Sequence, residues 1–142
     1  MNTNKIFIDT SYVIALINER DELHTKACML ADRFDRSNLI TTEAILIEIG
    51  NALARGYKSE SIEVIGTLVQ DPNVSIVSVD SILFQKAFNL YARLRDKSWG
   101  LTDCVSFVVM KESGTIDALT CDRHFIQAGF RALMLDDHDE SF

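Results

Sequence analysis

The chain has 142 residues, enough for one ordinary hydrophobic core and too few for two. With 47% hydrophobic and 25% charged residues, one proline and six glycines, it is neither a disordered nor a fibrous sequence. Its net charge of −7 first argues against a polyanionic partner, but Asp136, Asp137, Asp139 and Glu140 of the tail supply four of those charges.

We therefore expect a single domain over residues 1–142, ending in an acidic tail from 136 to 142. The amino terminus has no basic stretch leading into an apolar run, and charges interrupt every apolar run before membrane-spanning length. A cytoplasmic protein with no membrane contact is expected. Cys28, Cys104 and Cys121 form no short-spaced metal pair, and an odd count suits a reducing compartment, so they read as small buried apolar residues.

In chain order, Lys5 to Asp9 is a β-branched and aromatic run that closes on an acid, and Ser11 to Ile17 continues as a short apolar helix. Residues 22–36 carry helical spacing, with Asp21 placed as cap. A brief strand, Leu39 to Thr41, leads into a helix from Thr42 to Arg55, where Ile45, Ile49, Ala52 and Leu53 share a face and Gly56 supplies the stop. Ser59 to Gln70 is a further helix, ended by Asp71 and Pro72. Val74 to Val79 alternates as a strand, and Asp80 caps a helix running to about Arg95. Thr102 to Glu112 is apolar almost all round and stops at Gly114, which predicts a buried helix. Ala118 to Thr120 and Ala132 to Leu135 complete the strands. Strands alternating with helices at these spacings indicate βαβ units, hence an α/β fold with a parallel sheet of four to five strands covered on both faces.

Four acids stand out against this pattern. In parallel α/β sheets, ligands bind beyond the carboxyl ends of the strands. Asp9 ends the first strand there, and Asp122 follows the strand Ala118 to Thr120. Glu48 falls three residues after Ile45 and four before Ala52, at the edge of a face that must be buried. A carboxylate in that position needs a compensating partner. Asp103 opens the buried helix, where the first-turn amides favour an anion. Each also has a local reading: Asp9 as a turn former, Asp103 as a helix-start residue, Asp122 as a cap for residues 123–128, Glu48 as the partner of a buried base. If the four converge, their mutual repulsion demands cations, and all-oxygen ligation suits Mg²⁺ or Mn²⁺.

The segments FIDTSYVIALI at 7–17, ITTEAILIEIGNAL at 40–53, LTDCVSFVVMKESG at 101–114 and LTCDRHFIQAGF at 119–130 occur in an order that resembles the PIN-domain ribonucleases, and within them the small bacterial VapC-like toxins of toxin-antitoxin pairs. The resemblance spans almost the whole chain. Its most specific element is Thr120, Asp122 and Phe125 in a T-x-D-x-x-F pattern. It implies a three-layer αβα fold, with Asp9, Glu48, Asp103 and Asp122 as catalytic and metal-binding acids and Ser11 and Thr120 as polar supports. It further implies Mg²⁺ or Mn²⁺, an RNA substrate cut by phosphodiester hydrolysis, and a cognate antitoxin as partner. The alternatives within the family are a nuclease of RNA processing and a binding module without activity.

Around the acids, Arg93, Arg95, Lys97, Arg123 and His124 are placed to lead a phosphate backbone inward, or to complement helix ends, and His124 reads further as a general acid or as a solvated or capping residue. Trp99 reads as a packing residue or a base-stacking one. Tyr12 to Ile17 serves either the core or a groove for a partner or a second copy in a homodimer. A phosphate-accepting receiver domain would need an acidic pair after the first strand and a lysine after the last. Asp9 is instead followed by Thr10 and Ser11, and Leu135 by acids. A dehalogenase-type phosphatase would need an aspartate at position 11, which is Ser11.

Overall fold

The computed structural model describes residues 4–136. The tail acids Asp137, Asp139 and Glu140 lie outside the described residues. The elements run β1 (Ile6–Ile8), α1 (Thr10–Ile17), α2 (His24–Arg33), β2 (Leu39–Thr42), α3 (Glu43–Leu53), α4 (Lys58–Gln70), β3 (Val74–Val77), α5 (Ser81–Arg93), α6 (Leu101–Ser113), β4 (Asp117–Leu119), α7 (Arg123–Gln127) and β5 (Arg131–Ala132), which passes into a 3₁₀ turn at Leu133–Leu135.

All strand pairs are parallel, in the order β3-β2-β1-β4-β5. Right-handed crossovers put α1 to α4 on one face and α5 to α7 on the other. The packing agrees, for α1 touches α2 and α3, α3 touches α4, and α6 touches α5 and α7. The connection leaving β1 turns toward β2, whereas the one leaving β4 turns toward β5. The carboxyl ends of β1 and β4 therefore flank the point where the winding reverses, which is where such sheets form a crevice.

Local chemistry explains most boundaries. The Thr42 hydroxyl accepts from the Ile45 amide at 3.2 Å and starts α3, and Asp80 accepts from the Leu83 amide at 2.8 Å and starts α5. Gly114 ends α6 at φ 69°, a left-handed conformation that L side chains resist.

Most element ends shift by one to three residues from expectation, β3 stopping at Val77 rather than Val79 and α3 at Leu53 rather than Arg55, and three further differences have a visible form. Asp21 does not cap α2; its carboxylate accepts from the Leu23 amide at 2.9 Å in a tight turn, and the helix begins at His24. The last strand is only Arg131–Ala132, because the chain then coils to sink Leu133 and Met134 into the core. The helix α5 stops at Arg93 rather than Arg95.

An aromatic cluster fastens the crevice to the core. Phe125 of α7 is fully buried, tilted against Phe7 of β1 at 6.2 Å between centroids and edge-on to Phe107 of α6 at 5.0 Å. Three elements that carry or adjoin acids are thereby locked together. Within α1, Tyr12, Val13 and Ala15 are buried, so much of the apolar run belongs to the core. Of the cysteines only Cys104 is fully buried; Cys28 and Cys121 are half-buried, at variance with the expectation for all three.

Candidate active site

Asp9 occupies the position just before α1, yet its side chain caps nothing. Its Oδ2 atom instead accepts hydrogen bonds from the Ser11 hydroxyl at 2.8 Å and the Thr120 hydroxyl at 2.7 Å. The two hydroxyls lie 3.2 Å apart, and the backbone amides of Cys121 and Asp122 donate in turn to Ser11 Oγ and Thr120 Oγ1. This lattice ties the end of β1 to the end of β4. Asp9 is 6% exposed, and burial pushes its carboxyl up to about 6 despite the hydrogen bonds, with repulsion from Asp103 adding to the effect. A carboxyl so placed is short of positive charge.

Asp103 sits in the first turn of α6, where its Oδ2 accepts from the Gly100 amide at 3.2 Å. The same oxygen meets His124 Nδ1 at 2.9 Å. Asp122 begins α7 by accepting from the His124 amide at 2.9 Å, and its Oδ1 lies 3.4 Å from His124 Nδ1. Ligand atoms of Asp103, Asp122 and His124 all fall within 4.8 Å of one another. The outer ring nitrogen of His124 meets the Ser98 hydroxyl at 3.2 Å. A neutral ring that donates from Nδ1 to Asp103 and accepts at Nε2 satisfies both contacts.

Glu48 is half-buried on α3, and its Oε1 accepts from the Thr10 hydroxyl at 2.7 Å, one residue beyond Asp9. The helices that carry Glu48 and Asp103 touch each other. Among the described residues no lysine or arginine pairs with Asp9, Glu48, Asp103 or Asp122; the recorded ion pairs of these acids go to His124 alone.

The polar and basic residues are placed as follows. Ser11 and Thr120 hold Asp9, as just described. Arg95 and Arg123 are exposed, with Arg95 lining a cavity beside Ser98 and Gly100. Trp99 is 9% exposed, edge-on to Phe107 and hydrogen-bonded from Nε1 to Gln127 at 2.9 Å, so it packs rather than stacks on a base. His124 was the residue whose role the sequence understated. A histidine two places after a capping aspartate looks solvated until Asp103 arrives from another helix.

A PIN-domain profile matches residues 6–131. The chain belongs to the PIN-domain family. Among solved structures, this PIN domain is similar to the Mycobacterium tuberculosis toxin VapC20, described as cleaving the sarcin-ricin loop. The TM-score is 0.80 at 26% identity, covering 89% of this chain and 97% of that one. Among curated proteins none matches. No helix of the described PIN-domain residues is long and apolar enough to cross a membrane.

Proposed function

We propose that this PIN domain is a divalent-metal-dependent endoribonuclease and the toxin of a toxin-antitoxin pair, with an antitoxin chain as its partner. The observation that carries the reading is the set of acids at the β1 and β4 ends with no lysine or arginine to offset them among the described residues. Family membership and the likeness to an RNA-cleaving toxin support it.

The donor set fits a hard cation. Asp9, Glu48, Asp103 and Asp122 offer carboxylate oxygens, the chemistry suited to Mg²⁺ or Mn²⁺, and a buried Asp9 without a base gains most from such an ion. When bound, the metal supplies charge neutralisation for the scissile phosphate and activation of water. The chain's own residues do the positioning. Ser11 and Thr120 fix one oxygen of Asp9 and so orient its carboxylate. Thr10 orients Glu48. His124 lies against both Asp103 and Asp122 and positions them. Arg95 and Arg123 offer charge to the RNA backbone. Hydrolysis adds water across one phosphodiester, giving a 5′-phosphate and a 3′-hydroxyl.

The test is incubation of the chain with structured and single-stranded RNAs, with and without Mn²⁺, followed by mapping of the cut ends. Cutting should require the ion and vanish in Asp9→Asn and Asp103→Asn while circular dichroism stays native. Undiminished cutting by both variants would overturn the proposal.

A further inference from the structure

Helix α5 carries three aromatic side chains on its outer surface. Phe84, Phe88 and Tyr91 follow one another at spacings of four and three, and they are 44%, 43% and 46% exposed. Their rings form a ladder: Phe84 and Phe88 lie 6.3 Å apart at 12° between planes, and Phe88 and Tyr91 lie 6.5 Å apart at 30°. The core does not need them, for α5 buries Leu83 and Ala87 instead. A contiguous exposed run of rings marks an interaction surface.

The ladder leads toward the acids. Phe88 and Tyr91 line a cavity of about 550 Å³ together with Arg95, Lys97, Ser98 and Gly100. One of those residues touches an acid, the Gly100 amide donating to Asp103 at 3.2 Å, and Ser98 meets His124 beside it at 3.2 Å. Stacked rings, cations and carboxylates are thus continuous along one path. Asp96 offsets Lys97 only loosely, at 3.9 Å, and Arg95 stands exposed beside it.

We infer that Phe84, Phe88 and Tyr91 are a stacking track for unpaired bases of the RNA strand, whose phosphates pass Arg95 and Lys97 on the way to the acids. The inference rests on the nuclease reading and assigns the surface of this chain on which that site's RNA strand is held. Every base has a π-face, so a row of rings holds a strand without reading its sequence, and flanking cations hold the backbone. A paired helix keeps its bases stacked inside and offers no such faces. The cations and the opening toward the acids favour a nucleic acid over a second copy of the chain.

Binding tests this separately from cleavage. With Ca²⁺ in place of Mn²⁺, fluorescence anisotropy is followed for a short labelled single-stranded RNA, the same strand with abasic sites, and a blunt duplex. Phe88→Ala and Tyr91→Ala should each weaken binding of the single strand by about 5- to 150-fold, the range for one lost base stack. Phe88→Tyr should retain it, and duplex binding should not change. Abasic sites should weaken binding by the wild type but hardly further by Phe88→Ala. The inference fails if both alanine variants bind the single strand as the wild type does, or if the wild type binds no single strand. It fails too if sedimentation shows a wild-type dimer that the substitutions split, which would assign the ladder to a second copy. Cleavage lost in Asp103→Asn alongside unchanged binding by Phe88→Ala would leave the nuclease reading standing and remove this one.

Discussion

His124 meets Asp103 through a 2.9 Å contact between side chains 21 residues apart in the chain. The contact crosses from α7 to α6, and the same ring nitrogen lies 3.4 Å from Asp122, so one imidazole sets the spacing of two acids. Removing the ring takes from Asp103 its side-chain donor and from the two acids the group that lies against both. His124→Ala is expected to weaken Mn²⁺ binding by about 10- to 100-fold, the usual effect of losing a partner that orients metal ligands. Calorimetric titration measures it. His124→Asn, whose side-chain amide can still donate toward Asp103, should recover part of the loss.

Asp9 makes the metal-free fold sensitive to pH. Burial raises its carboxyl to about 6, so the folded state prefers it neutral. The stability this preference contributes is fully present below the ordinary carboxylate range near pH ~4 and is lost as pH rises through about 6. The loss is on the order of 3 kcal/mol. Urea melts of the metal-free chain across that window should show the decline, and Asp9→Asn should flatten it. Mn²⁺ should restore stability at neutral pH, since it binds the ionised form. A wild-type chain without the decline would count against the buried, uncompensated Asp9.

Thr120 is fully buried, donates to Asp9 at 2.7 Å and accepts from the Asp122 amide at 3.0 Å. Thr120→Val keeps the shape and removes both bonds. It should cost roughly 1–3 kcal/mol for each group left unpaired, read as a lowered denaturation midpoint. Thr10→Val should act differently. Glu48 is only half-buried, so stability should change little while Mn²⁺-dependent cutting falls.

Gly114 tests the fold apart from the chemistry. A Cβ added there meets nothing within 4 Å, so Gly114→Ala carries only the conformational penalty of φ 69°. About 1–2 kcal/mol is expected, with cleavage at low temperature unchanged.

The readable parts of this fold are those governed by neighbours in sequence. Thr42 heading its helix, Asp80 capping α5 and Gly114 stopping α6 act within four residues, and each could be placed from the sequence. Glu48 stood out because a helical wheel forces it to the rim of a buried face. Asp21 misled because its carboxylate serves a turn and a cap equally well, and only the path of the chain chooses. The final strand misled because Leu133 and Met134 are apolar in either conformation, and burial under the sheet end decided for a coil. His124 was understated for another reason. Its role depends on Asp103, which reaches it from another helix 21 residues away, and periodicity within one segment carries no such information.

The bond from Thr120 to Asp9 joins residues 111 positions apart in the chain. A nascent chain holding Asp9, Glu48 and even Asp103 therefore has no assembled centre until β4 has left the ribosome and seated beside β1. On the proposed ribonuclease reading, cutting competence follows the making of β4 and is absent from any nascent chain that lacks it.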